Sequence, residues 1–389
     1  LLLMLYDEHD GSAEPGPIAS DAWYEHHLRR ALAEVPRAKA IAGIGAYGYG
    51  WTDTLPYAAH LTHEDVMRTA RMTGHTPQLD STSRNPFLAW TDADSVDHLI
   101  WYLDAVTAWN QVRRAEAAGT AGIGIWRLGS EDPSLWRVVG RKSAAADPVQ
   151  LDTITHGYSV AFIGTGEILR MVGEPTLGRR TNVIDPASGL VTGSRIMQLP
   201  GSWTIARYGR QKLKVALTFD DGPSAGYTSA ILDTLWSRRA PATFFIIGDE
   251  AERRPGLVRR MLREGHELGN HTYTHPNLAR TSALATRFEI SVTERLIEAI
   301  TGRQALLFRP PYFGDAEPTT PDELEPIAIA QRMGYITVGL RNDPLDWQNP
   351  TPEQIVSRTL SAADTGNIVL LHDGGGDRTA TVAAVVQEH

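Results

Sequence analysis

Residues 212–389 repeat one arrangement, in which a short apolar run ends abruptly in polar residues. Leu213–Phe219 leads into Asp220-Asp221-Gly222-Pro223, Leu306–Phe308 into Arg309-Pro310-Pro311-Tyr312, and Ile368–Leu371 into His372-Asp373. Between these runs, apolar residues recur at helical spacing near Thr228–Arg239, Pro255–Glu264, Ser282–Thr301, Pro321–Met333 and Pro352–Ala363. Such strand–helix alternation predicts a parallel sheet or a β/α barrel. In those folds the loops after the strand ends build the active site, so the polar groups are expected to converge on one face.

Composition narrows the function classes. With 42% hydrophobic and 21% charged residues, the chain is an ordinary folded one, and its 389 residues suit two or three domains. A net charge of −9 argues against a nucleic-acid partner, which would need a basic surface. The absence of cysteine excludes disulfides, thiolate metal sites and cysteine nucleophiles, and leaves the compartment open. No run reaches the ~18 apolar residues of a membrane span. The opening Leu-Leu-Leu-Met-Leu is too short for a signal peptide and reads as a buried strand whose neighbours lie upstream, so the chain is expected to be a fragment.

Three segments are expected. Residues 1–139 alternate strand-like runs (LLLMLYDE, KAIAGIGAYGYGW, AGIGIWRLG) with helical stretches at Asp21–Val35, Thr62–Thr73 and Asp94–Ala118. Residues 140–211 hold turn signals between short β-type runs and read as a β-rich spacer. From 212 onward the β/α alternation resumes. GIGAYG at 43–48 formally matches G-x-G-x-x-G, but Tyr49-Gly50-Trp51 continue the run where a dinucleotide site needs a helix.

Two adjacent carboxylates at a strand end repel each other unless a cation or a raised pKa relieves them. His271 and His275, spaced i, i+4, would lie on one side of a helical turn. Two histidines and one aspartate make a three-ligand site with a fourth position for water, the catalytic form of a zinc centre. With Asp221 on the metal, Asp220 is free to act as a general base, and His372 can serve as a general acid. His156 and His266 read as structural, and the glycines at 374–376 as a turn.

TFDDGP (218–223), HTYTHP (271–276), RPPYFG (309–314), DPLDW (343–347) and LLHD (370–373) resemble, in order, the five motifs of NodB-homology polysaccharide deacetylases, the carbohydrate esterase family 4 type. The resemblance implies a distorted (β/α) barrel and a divalent metal, usually Zn2+, held by Asp221, His271 and His275. It makes Asp220 the base and His372 the acid. Arg309 would orient Asp220, and Asp346 would support the network around Arg309 and His372. Trp347 and Leu370 would line the acetyl pocket, and the Tyr312 backbone N–H would stabilise the oxyanion. The chain stops at His389 inside what should be the last helix, so a closing strand is expected to be missing.

Residues 1–139 resemble the last three β/α units of a glycoside hydrolase family 18 barrel, the chitinase-like fold. LMLYDEHD is similar to its sixth strand, AGIGAYGYGW to its seventh and GIGIWRLGSEDPSLW to its eighth. In that resemblance Tyr6 and Asp7 contact the bound sugar and Trp126 forms its floor. The family's acid motif, DxxDxDxE, is absent from the chain, so this half is expected to be catalytically inert. The tandem also resembles large bacterial proteins in which a membrane-bound glycosyltransferase follows.

The expected function is metal-dependent removal of N-acetyl groups from a polymer containing N-acetylglucosamine, chitin-like or of the cell envelope. Alternatives are an O-acetyl esterase on a polysaccharide such as acetylxylan, and a carbohydrate-binding scaffold without turnover. The expected partner is an acetylated polysaccharide. The location follows the polymer: secreted or in the cell envelope, outside the cytoplasm.

Overall fold

The computed structural model describes residues 1–389 apart from 56, 138, 140–146, 159, 313–317, 364–366 and 387–389. Phe313 and Gly314 of RPPYFG, and the first residues of the expected spacer, lie outside the described residues. The chain forms two compact units, 1–157 with 174–202, and 158–173 with 203–389. Elements are numbered along the chain.

The first unit contains a parallel sheet, ordered β1-β2-β8, of β1 (Leu2–Leu3), β2 (Ile41–Gly45) and β8 (Gly122–Trp126). Helices α1 (Asp21–Glu34) and α3 (Ala105–Ala117) separate these strands in sequence. Beside it is an eight-stranded sheet ordered β4-β3-β7-β6-β5-β13-β12-β9. Its strands are β3 (Gly48–Thr52), β4 (Ala59–Leu61), β5 (Gln78–Leu79), β6 (Pro86–Thr91), β7 (Asp97–Tyr102), β9 (Thr153–Ile154), β12 (Gly178–Ile184) and β13 (Val191–Gln198). Helix α2 (His63–Thr73) packs against it through Val66, Met67 and Ala70.

The helix expected over Asp94–Ala118 is two elements. Asp104 is the break: its carboxylate accepts from the N–H groups of Val106 and Thr107, both at 3.0 Å, and so caps α3. The residues before it, DHLIWY, pair along β6 and β3 as strand β7.

The second unit is built on one nine-stranded sheet, ordered β10-β14-β11-β19-β18-β17-β16-β15-β20. The run β19-β18-β17-β16-β15-β20 is wholly parallel. It comprises β15 (Ala216–Gly222), β16 (Thr243–Ile246), β17 (Glu267–Asn270), β18 (Leu307–Phe308), β19 (Ile336–Val338) and β20 (Ile368–His372). Just beyond β19, Asn342 bridges to Val369 of β20, which curls the sheet back on itself. Helices α4 (Tyr227–Arg238), α5 (Gly248–Arg253), α6 (Pro255–Arg263), α7 (Ala283–Thr301), α8 (Pro321–Arg332), α9 (Pro352–Ser361) and α10 (Thr379–Val386) connect or follow the strands. The core is apolar and tightly closed around Phe219, Ile231, Leu232, Phe244, Ile246, Val258 and Met261.

The residues read as a spacer are divided between the units. Strands β10 (Val160–Gly164), β11 (Ile168–Gly173) and β14 (Trp203–Tyr208) extend the second unit's sheet, with β11 antiparallel to β19. Residues 174–202 belong to the first unit. There the buried Arg180 of β12 bonds Asp104 at 2.5 Å and Asp132 at 2.9 Å, and Asn110 of α3 exchanges two 2.8 Å bonds with Val191 of β13. Strand β20 pairs in parallel with β15 and carries His372, and helix α10 follows it.

Candidate active site

Side chains alternate along a strand, so consecutive aspartates should face opposite ways. Strand β15 breaks that rule with a bulge: its register against β16 shifts between Asp220 and Gly222, and Asp221 takes φ 73°. Both carboxylates therefore reach one site. Gly222 permits the turn, because a Cβ there would lie 2.2 Å from the Asp373 carboxylate.

His271 and His275 do not sit on a helical turn. They lie in the loop after β17, where Thr272 and His275 have φ 70° and 58°. The loop is folded from outside: Glu289 of α7 accepts from the N–H groups of Tyr273 and Thr274, each at 2.8 Å, and from the Thr274 hydroxyl at 2.8 Å. Asn270 accepts from the Thr272 N–H at 2.9 Å and donates to the Ile290 carbonyl at 2.9 Å.

Asp221, His271 and His275 bring one ligand atom each to within 4.8 Å of one another. Nε2 of His271 and of His275 stand 3.5 and 3.1 Å from Asp221 Oδ1, an atom that is buried and has no hydrogen-bond partner. His271 Nδ1 is 2.7 Å from the Arg309 carbonyl, which fixes the proton on Nδ1 and leaves the Nε2 lone pair facing the site. Burial opposes ionisation of Asp221, but the facing imidazoles hold its carboxyl well below the usual carboxylate range. The His271 lone pair, the His275 ring nitrogen beside it and an ionised, orphaned carboxylate fit a divalent cation.

Arg309 is buried, with its guanidinium over the Phe245 ring, and donates to Asp220 Oδ1 at 2.7 Å and to the Thr218 hydroxyl at 2.8 Å. Its Nε and Nη2 reach the carbonyls of Val338 and Gly339 at 3.3 and 3.2 Å. Asp220 is thus held by one oxygen, and its Oδ2 lies 3.8 Å from His271 Nε2. Asp346 serves His372 in these contacts, not Arg309. Its Oδ1 is 2.7 Å from His372 Nδ1, and its Oδ2 accepts from the His372 N–H at 2.9 Å and the Thr381 hydroxyl at 2.8 Å. Burial would lower the His372 pKa; the Asp346 bond and the charges of Asp346, Asp220 and Asp221 outweigh it and push it up to about 8.

Asp220, Asp221, His271, His275, Arg309 and His372 line a cavity of about 360 Å³ together with Pro310, Tyr312, Leu340, Asp343, Trp347, Leu370 and Arg378, while Asp346 lies behind His372. Leu370 and Leu340 form a buried apolar pair, whereas Trp347 and Tyr312 are exposed on the rim. The Tyr312 ring lies 4.8 Å from that of His275.

Sequence reasoning missed several residues here. Glu289 and Asn270 carried no signal, because only the folded loop shows what they hold. Asp343 and Arg378 look like ordinary surface charges until the loops close. Gly375 is more than a turn residue: at φ 72°, a Cβ on it would stand 2.3 Å from Asp221 Oδ2. Asp373 is fully buried and accepts from the Thr228 hydroxyl at 2.5 Å; burial, with the charges of Asp221 and Asp220, pushes its carboxyl up to about 7.

In the first unit, Tyr6, Asp7 and Trp126 follow or end adjacent parallel strands. Asp7, at φ 67°, accepts from the hydroxyls of Tyr47 and Tyr49, the latter at 3.3 Å. Tyr6 meets Tyr47 edge-on at 6.1 Å. Trp126 is 55% exposed, so it is a surface aromatic and not a core one. No helix follows GIGAYG: β3 begins at Gly48, and the dinucleotide match has no structural counterpart.

Residues 208–336 match the family model described as polysaccharide deacetylase. A peptidoglycan-N-acetylglucosamine deacetylase of Bacillus cereus is 43% identical over 177 residues, 44% of this chain and 78% of that protein. A chitooligosaccharide deacetylase of a Bradyrhizobium species is 42% identical over 174 residues, 43% of this chain and 76% of that protein. The peptidoglycan-N-acetylmuramic acid deacetylase PdaC of Bacillus subtilis is 38% identical over 159 residues, 41% of this chain and 32% of that protein. The chain belongs to the polysaccharide deacetylase family, whose hydrolases remove acetyl groups from glycans.

Proposed function

We propose that this chain removes N-acetyl groups from a polymer containing N-acetylglucosamine, with Asp220 as base and His372 as acid. The observation that carries the reading is the bulged Asp220–Asp221 pair, one carboxylate held by Arg309 and the other facing two imidazoles. A divalent cation, Zn2+ by ligand type, held by Asp221, His271 and His275 would polarise the acetyl carbonyl and acidify a water.

The residues supply the rest. Asp220 takes a proton from the water as its oxygen bonds to the acetyl carbon. The backbone N–H of Tyr312 donates to the developing oxyanion. As the C–N bond breaks, its electron pair goes to nitrogen and His372 gives that nitrogen a proton, so acetate and a free amine leave. Trp347 and Leu370 would enclose the acetyl methyl. Asp346, with no role in the transfer itself, holds the His372 ring in place.

For the first unit, the reading is a sugar-contacting surface at Tyr6, Asp7 and Trp126, from the C-terminal part of a family 18 barrel and without turnover of its own. Catalysis is assigned to residues 212–389. The work would take place outside the cytoplasm, where such polymers lie; no helix among the described residues is long and apolar enough to cross a membrane.

Acetate release from an N-acetylglucosamine tetramer and from acetylated xylan separates amide from ester chemistry. Release from the tetramer is the expected result; release from xylan alone would make the chain an esterase with the same machinery.

A further inference from the structure

The cavity holds one cation that the proposed chemistry does not use. Arg309 is paired with Asp220 and His372 with Asp346, but Arg378, only 4% exposed, has no carboxylate partner among the described residues. Its Nε donates to the Gly374 carbonyl at 2.8 Å and its Nη1 to the Asp377 carbonyl at 3.2 Å. Its Nη2 takes no partner there, yet is not among the sealed polar atoms. Asp377, the adjacent carboxylate, is exposed and bonds Thr379 and Tyr227 instead. Gly376 keeps the space beside the guanidinium open, since a Cβ there would stand 3.4 Å from Nη2.

A guanidinium this buried, whose hydrogen bonds go only to carbonyls and whose adjacent carboxylate, Asp377, is exposed and turned to other donors, retains its demand for an anion. Arg378 sits on the loop after β20, where Gly375 presses on Asp221, so it faces the substrate beside the reacting acetamide. We propose that Arg378 reads a carboxylate carried by the glycan next to the acetamido group, and so selects an acidic envelope glycan over a neutral chitin-like one. On a pyranose with the acetamide at C2, the neighbouring oxygen O3 can bear such a group as a 3-O-lactyl ether; a uronic acid in the next ring is the other source. This rests on the deacetylase reading and narrows its substrate.

The test compares kcat/KM of the full zinc-loaded chain on three tetramers. One alternates N-acetylglucosamine with its 3-O-lactyl derivative, one alternates it with glucuronic acid, and one is neutral N-acetylglucosamine. Wild type is expected to favour one acidic tetramer over the neutral one by about tenfold or more, less so at high salt, and the favoured one identifies the source. Arg378→Gln is expected to bring that ratio near one, and Arg378→Lys to restore part of it. No acidic preference in wild type would overturn the proposal. So would an equal loss on all tetramers in Arg378→Gln, because that is what a mere brace of the loop would give. Should wild type turn over none of them, the deacetylase reading fails by itself. Calorimetry with the acidic tetramers then decides: weaker binding by Arg378→Gln upholds the assignment, and unchanged binding overturns it.

Discussion

At the scale of single residues, the proposed chemistry depends on how one carboxylate and one imidazole are held. As the proposed base, Asp220 would accept a proton while a guanidinium 2.7 Å away steadies it. His372 must carry one, and the Asp346 bond is what keeps it charged against the pull of burial. The sign follows directly. A proton on His372 is present below its pKa, so kcat should fall as pH rises through about 8. Asp346→Asn removes the charge that raises this pKa, and the basic limb of the pH–rate profile should move to lower pH. A profile unchanged in that variant would assign the limb to another group.

At the scale of elements, one strand and one loop make the site. The bulge in β15 and the Glu289 clamp on the loop after β17 each replace a regular geometry that would have scattered the ligands. Glu289→Ala should leave the loop unheld and weaken zinc binding by about 10–100-fold, as loss of an outer-shell partner does. Zinc affinity equal to wild type by competition with a chelating dye would show that the loop holds itself. The elements also mark what was legible in the chain. TFDDGP, HTYTHP and LLHD supply side chains that the fold brings to one cavity, each from a strand end or the loop after it. The i, i+4 spacing of His271 and His275 suggested a helical turn, but positive φ at Thr272 and His275 with long-range bonds to α7 decide the loop. Glu289 holds residues 15 and 16 positions away, and Arg378 reaches the cavity only once its loop is folded, neither of which sequence spacing encodes. The helix expected from Asp94 missed the Asp104 cap because DHLIWY is apolar enough to suit either period.

At the scale of the whole molecule, the chain does not divide at the residue where the β/α alternation resumes. Strands β10, β11 and β14 extend the second unit's sheet, and Leu169, Met171 and Ile205 cover Leu324, Ile327 and Ala328 of α8. A fragment of residues 212–389 would lose those strands, bare that apolar cluster and leave the β19 edge unpaired. It should therefore aggregate, whereas the whole chain should stay soluble. Equal solubility of the two would show the added strands to be dispensable. The spacer reading arose because turn-rich β runs look alike whichever sheet they join; the pairing of β12 with β9 and of β13 with β5, with side chains such as Arg180 and Asn110, places 174–202 in the first unit.

The central claim is that the bulged carboxylate pair and its facing imidazoles hydrolyse an acetamide with help from a bound cation. Acetate release from an N-acetylglucosamine tetramer tests it most directly, measured on the chain as purified, after chelation, and after zinc is returned, with Asp220→Asn alongside. The account expects release that is lost on chelation and regained with zinc, and a zinc-loaded Asp220→Asn slower by about 10²–10⁴-fold. Full release from the chelated chain, or from Asp220→Asn, would contradict it.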